Sequence, residues 1–192
     1  MSKHSVNGLL VIFAAHSGAG KTTIIKQLLQ KNKSWKFSIS ATTREKRDYE
    51  KDGEDYYFIS LDKFKELMIS NKLVEFENVH GKYYGTIKEQ ITNAMNYGEI
   101  LILDLDVFGA LNVKKQFQNN SITIFIDVPN EDILIQRLRK RATDSKRSIE
   151  KRLSRILLEK KEKDNFDFTV INDKLRSCVN KIEDIIKNRI IN

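Results

Sequence analysis

The stretch Gly8 to Lys31, "GLLVIFAAHSGAGKTTIIKQLLQK", changes character twice within a few residues. "GLLVIFAA" is an unbroken apolar run, the pattern of a strand buried on both faces of a parallel sheet. Glycines follow at 18 and 20, and then Ile24, Ile25, Leu28 and Leu29 fall at helical spacing. The reading is strand, tight loop, helix. Inside it "AHSGAGKT", Ala15 to Thr22, fits G-x-x-x-x-G-K-[ST] except at the first position, where alanine replaces glycine. Gly18 and Gly20 let backbone N–H groups turn inward on phosphate oxygens, and the helix that follows adds its positive end. Ser17, Gly18, Ala19, Gly20, Lys21, Thr22 and Thr23 are therefore expected to hold a nucleoside triphosphate. Lys21 would hold the β- and γ-phosphates, and the Thr22 hydroxyl would help hold Mg²⁺. Such a loop is shared by GTPases, ATPases and kinases, so it leaves the reaction open.

The apolar-run signature returns at Ile100–Leu105, at Ile122–Val128 and in "FDFTVIN". Helical patterns alternate with these runs at Phe108–Phe117, Glu131–Arg141, Ile149–Lys163 and Lys174–Ile191, which predicts a wound α/β domain. Between 37 and 97 the rhythm breaks. "DYYFIS", "LVEFENV" and "KYYGT" are short, aromatic and β-prone, and predict a small mixed or mostly antiparallel lobe. "LDKFKELMISN" reads as a helix within it, with Asp62 placed to cap its start. The 192 residues suit one domain: a core of 1–36, 98–130 and 164–192, an inserted lobe of 37–97, and a lid of 131–163.

The acceptor side is expected in "FSISATTREKRDYEKDGEDYYF". Arg44 and Arg47, three apart, can fork onto a phosphate, and a tyrosine hydroxyl can add a donor. Taken singly, such residues are as readily a solvated face or packing. Their order is more specific. "SGAGK", "FSISATTREKR", "EKDGEDY", "EF", "GKYYG" and "DLDVFG" occur in sequence along the chain, and this series resembles the guanylate kinase family nearly end to end. The resemblance implies the P-loop nucleoside monophosphate kinase fold and transfer of the γ-phosphoryl group of ATP to GMP, or to dGMP. By match, Arg44, Arg47, Tyr56 and Tyr84 would hold the GMP phosphate, and Ser40, Glu75 and Thr86 would read the guanine. Asp104 and Asp106 would lie beside the acceptor and, for Asp104, the metal. The chemistry agrees independently. Guanine offers N1–H and N2–H to a carboxylate such as Glu75, while a Ser40 or Thr86 hydroxyl can donate to O6. Adenine would leave the carboxylate facing a lone pair, and sites built on such bonds reject the wrong base by roughly 10⁴-fold or more.

The formal net charge of +8 calls for an anionic partner. Eleven Lys or Arg against three acids between Arg137 and Lys161 equal that whole excess. "LIQRLRKRATDSKRSIEKRL" resembles the family's lid, so that Arg137, Arg141 and Arg152 would close on the ATP phosphates, with Ala142 in place of a usual glycine. "VIND" resembles the adenine-side segment and makes Asn172 a candidate contact to the ATP base. His16 and Lys46 stand where the family has proline, and His16 has no part in the chemistry. A kinase for another small phosphorylated acceptor would not need Ser40, Glu75 and Thr86 together. A non-catalytic binding module would typically lack Lys21 or the lid arginines. A nucleic-acid binder would interleave aromatics with its charge. The single Cys178, the absence of a long apolar run and of a secretory leader predict a cytoplasmic protein that binds no membrane, monomeric or homodimeric.

Overall fold

The computed structural model describes residues 8–16, 18–79, 81–130 and 159–191. Ser17, His80 and nearly all of the expected lid, with Arg137, Arg141, Ala142 and Arg152, lie outside the described residues.

The large sheet is parallel throughout. Its strands are β1 (Leu9–Ala15), β2 (Lys36–Phe37), β7 (Ile100–Asp104), β8 (Ser121–Asp127) and β9 (Phe168–Ile171), in the order β2-β7-β1-β8-β9. The apolar run that opens the chain thus becomes the central strand. Its side chains alternate between two separate cores, as the pleat requires. Val11 and Phe13 face α1 (Lys21–Lys31) and the C-terminal helix α5 (Leu175–Ile191), among Ile24, Leu28, Ile182 and Ile186. Leu10, Ile12 and Ala14 face α3 (Lys88–Tyr97) and α4 (Val107–Gln116), among Ile91, Ala110 and Val113. Each fully buried aliphatic side chain contributes roughly 1.5–3 kcal/mol, so loss of either layer would unfold the sheet. Cys178 is buried on α5, and burial pushes its thiol up to about 11.

The second sheet is small and mixed, as the sequence predicts, with order β4-β3-β6-β5. β3 (Ala41–Thr42) runs parallel to β4 (Tyr57–Phe58) and antiparallel to β6 (Lys82–Ile87), which pairs with β5 (Leu73–Val79). Helix α2 (Leu61–Ile69) closes it by burying Phe64 against Ala41 and Leu73. Ser60, not Asp62, caps α2. Ser60 has extended backbone and its hydroxyl accepts from the Lys63 N–H, while Asp62 lies inside the first turn, where its charge complements the helix dipole. Packing places Phe37 and α3, both within 37–97, with the large sheet: Phe37 pairs with Ile102, and Ile91 and Ala94 fill its core.

Among the described residues, no helix is long and apolar enough to cross a membrane.

Candidate active site

The carboxyl ends of β1 and β7 lie side by side, Phe13 opposite Asp104. That edge is where open α/β sheets bind ligands. The loop leaving β1 turns through Gly18 and Gly20, with φ of 91° and 94°, a left-handed conformation that favours glycine. α1 begins at Lys21 with no side-chain cap, so its first N–H groups stay open to an anion. Lys21 is paired with Asp104 Oδ1 at 2.5 Å and also donates to the Leu105 carbonyl. The loop cation and the end of β7 therefore meet in one place. Thr22 and Thr23 are exposed on the first turn.

Two buried residues brace this loop from outside. The Asn172 amide, only 6% exposed, donates to the Ala19 carbonyl at 2.7 Å and lies against Gly20. A side chain at Gly20 would meet that amide at 2.6 Å. The structure thus uses the nitrogen of Asn172 to hold the loop. His16 is 4% exposed, lies 3.2 Å through Nδ1 from the buried Glu159 carboxylate, and meets the Phe125 ring edge-on. It ties the loop to the last few residues of the expected lid, the part of it that is described. Nothing in the sequence signals that pairing, because the partners are 143 residues apart.

The small sheet supplies a second group of charged side chains, around Arg44 and Arg47. Arg44 is pinned by Glu50, which receives both of its terminal nitrogens at 2.8 and 2.9 Å. The Arg44 Nε donates to the Tyr84 hydroxyl at 3.2 Å, and a further N–H goes to the Glu45 carbonyl. Its guanidinium lies over the Tyr56 and Phe58 rings, 5.4 and 5.5 Å from their centroids. Four of its five N–H donors are thus engaged and one remains. Arg47 donates its backbone N–H to the same Glu50, while its side chain is 59% exposed and touches the Tyr49 hydroxyl. Glu50 is 7% exposed, and the Arg44 guanidinium holds its carboxyl below the usual carboxylate range. The same contact raises Arg44. Glu50 carries no role in the sequence reading, and its only signal there is a spacing of three and six from the arginines. Burial pushes the Tyr56 hydroxyl up to about 12, with the Asp104 charge adding to the effect.

The third part is a half-buried carboxylate, Glu75. A β-bulge between Leu73 and Glu75 shifts the β5 register, so that Glu75 sits opposite Thr86 where an unbroken ladder would have set it opposite Gly85. The Thr86 hydroxyl, fully buried, donates to Glu75 Oε1 at 2.6 Å. Burial raises the Glu75 pKa. The Thr86 bond opposes that rise, and the neighbouring Asp106 charge adds to it. Asp106 caps α4 by accepting from the Gly109 N–H at 2.7 Å. Ser40 is half-buried and immediately precedes β3.

Thr86 and Tyr84 are two apart on β6 and share a face. Glu75 beside Thr86 and Arg44 beside Tyr84 therefore lie along one face of the small sheet. Asp106 adjoins Glu75 at Gly109, the Asp104 charge acts on Tyr56, and Asp104 pairs with Lys21. Of the residues expected from the sequence, the structure brings together Lys21, Arg44, Tyr56, Glu75, Tyr84, Thr86, Asp104 and Asp106, with Arg47 at the rim. Asn172 stands behind the loop.

The protein-family profile described as guanylate kinase matches residues 7–189. A guanylate kinase of Chlorobium chlorochromatii is 40% identical over 182 residues, covering 95% of this chain and 96% of its own. One of Rickettsia prowazekii is 40% identical over 184 residues, covering 96% and 93%. Among solved structures, guanylate kinase from Anaplasma phagocytophilum superposes with a TM-score of 0.81 at 23% identity, covering 97% of this chain and 88% of that one. Shikimate kinase from Aquifex aeolicus shares the fold more distantly, with a TM-score of 0.51 at 14% identity.

Proposed function

The chain belongs to the guanylate kinase family, and from that premise we propose how its residues divide the transfer of the γ-phosphoryl group of ATP to GMP, giving ADP and GDP. The observation that carries the assignment is the half-buried Glu75 carboxylate held by Thr86, two residues along β6 from Tyr84, whose hydroxyl accepts from Arg44. It sets a base-reading acceptor one strand-face step from a phosphate-binding arginine. Since the Thr86 hydroxyl hydrogen is spent on Glu75, Thr86 orients the carboxylate and offers guanine a lone pair. Ser40 is then the hydroxyl left to meet O6. Glu75 accepts from N1–H and N2–H.

The GMP phosphate takes the remaining N–H of Arg44, the exposed guanidinium of Arg47, and the hydroxyl hydrogens of Tyr84 and Tyr56. That phosphate is already an anionic nucleophile, so no general base is needed; one of its oxygens bonds to the γ-phosphorus as the bond to the ADP oxygen breaks. Catalysis is positioning and charge neutralisation. Lys21 follows the charge from Asp104 onto the β- and γ-phosphates. Gly20 and the first turn of α1, with Thr22 and Thr23, offer N–H groups there, and Ser17, Gly18 and Ala19 are assigned to the phosphates by motif, the Ala19 N–H being held by the His16 carbonyl. Arg137, Arg141 and Arg152 are assigned to the donor phosphates from the sequence match alone.

Among the described residues no cluster of three His, Cys, Asp or Glu could cage a metal. Mg²⁺ usually shares its coordination with substrate phosphates and water, needing only one or two protein oxygens. The Thr22 hydroxyl and the Asp104 carboxylate are hard oxygen donors of that kind and fit it. When bound, the ion neutralises phosphate charge. The compartment that supplies both nucleotides is the cytoplasm.

The test is ADP release from Mg·ATP against GMP, dGMP, AMP, UMP and dTMP. GMP should be preferred by orders of magnitude, and a higher kcat/KM with any other base overturns the reading. Glu75→Gln should cut guanine selectivity more than stability; equal losses with GMP and AMP would remove Glu75 from the base site.

A further inference from the structure

Gly109, the glycine of "DLDVFG", brings no donor or acceptor side chain, and its place in the first turn of α4 is not one where a helix asks for glycine. Its surroundings explain it. A methyl group built on its Cα would lie 2.9 Å from Glu75 Oε2, 3.3 Å from Glu75 Cδ and 3.5 Å from Asp106 Oδ1. The first distance is shorter than any settled contact. The carboxylate is thus fixed from two sides. Thr86 holds Oε1 at 2.6 Å, and the bare face of α4 leaves room for Oε2 in a place any other residue would fill. Asp106 fixes that face by capping the helix on the Gly109 N–H. The β-bulge in β5 sets where the Glu75 side chain starts.

We propose that Gly109 is a specificity-determining position, its missing side chain providing the seat from which the Glu75 carboxylate spans both guanine N–H donors. This rests on the reading of Glu75 as the guanine acceptor. The atoms that must yield to a larger residue are the end of a flexible side chain, not backbone. Alanine is also favoured over glycine inside a helix. Gly109→Ala therefore folds normally and relieves its clash by turning the Glu75 carboxylate aside. From the displaced position the carboxylate still reaches one donor but no longer both. Hypoxanthine, which keeps N1–H and lacks the 2-amino group, is the probe for that difference.

The experiment compares kcat/KM for GMP and IMP in the wild type, Gly109→Ala, Glu75→Gln and the double variant, with thermal melts of each. A lost bond to a charged acceptor corresponds to about tenfold or more. The GMP-to-IMP ratio of Gly109→Ala should fall by about that factor, through the KM for GMP, with the KM for ATP unchanged and the melting temperature no lower. In the Glu75→Gln background, Gly109→Ala should add nothing. A ratio unchanged in Gly109→Ala but collapsed in Glu75→Gln overturns the role of Gly109 and leaves that of Glu75 standing. A ratio unchanged in both removes the guanine reading and this proposal together. A lowered melting temperature with the ratio intact shows Gly109 to be a packing position only, and also overturns it.

Discussion

At the loop after β1, the structure offers main-chain N–H groups and one lysine, Lys21, held by Asp104 and the Leu105 carbonyl. At the acceptor end, Arg44 is clamped by a buried carboxylate, two rings and a tyrosine before any phosphate arrives. One region is made of backbone conformation and a single cation, the other of several side chains ordered by each other. Ordering a rotamer-rich side chain costs entropy whenever it occurs. At the acceptor end that cost is met during folding, so binding and stability should be entangled there and separable at the loop.

Lys21→Ala breaks the comparison most sharply. Removing the charge aimed at the transferring group should lower kcat by about 10³-fold, with stability and the KM for GMP little changed; steady-state kinetics beside a melt decide it. The two arginines sharpen the contrast within one site. Arg44→Ala strips the buried Glu50 of its two-pronged partner, leaving it the Arg47 N–H and a distant Arg47 side chain, and should cost about 3 kcal/mol of stability along with GMP binding. Arg47→Ala, whose side chain is mostly in water, should raise the KM for GMP with under about 0.5 kcal/mol lost. Equal destabilisation by both, in denaturant titrations, would dissolve the distinction.

Asn172→Ala carries the test back to the loop. It strands the Ala19 carbonyl at a cost of about 1–2 kcal/mol and should raise the KM for ATP while sparing that for GMP. The smallest effect concerns pH. Because burial raises the Glu75 pKa, its protonation, and with it a rise in the KM for GMP, should begin above the ordinary carboxylate range as pH falls. The stability sign is opposite. The raised pKa means that the wild type gains relative to Glu75→Gln as pH falls, an advantage lost as pH rises through the folded pKa. A KM for GMP flat down to the ordinary carboxylate range would show that the carboxylate does not read the base.

The same difference in construction governs what the sequence discloses. The loop is local: strand, glycines, lysine and helix are contiguous, so Gly8 to Lys31 suffices to read the fold class and the donor. The arginines, tyrosines and Glu75 are legible only as an ordered series, since each alone has an ordinary structural meaning. Glu50, Gly109 and the His16–Glu159 pair escape it. Their significance lies in what they touch across the fold: a register shift at Val74, a bare helix face, a partner 143 residues away. Asp62 in place of Ser60 is a smaller miss of the same sort, since both residues suit a cap and only the backbone angles of Ser60 choose between them.

The Asn172 brace has a consequence for how the protein comes into being. The nucleotide loop lies in the first tenth of the chain, yet the amide that props it comes from the end of the last strand, 153 residues later. Contacts so distant form late and slow the search for the native state. A nascent chain still held by the ribosome before that asparagine emerges would carry the whole loop sequence without its support. Competence to grip ATP should therefore arrive abruptly, only once β9 adds itself to the edge of the sheet.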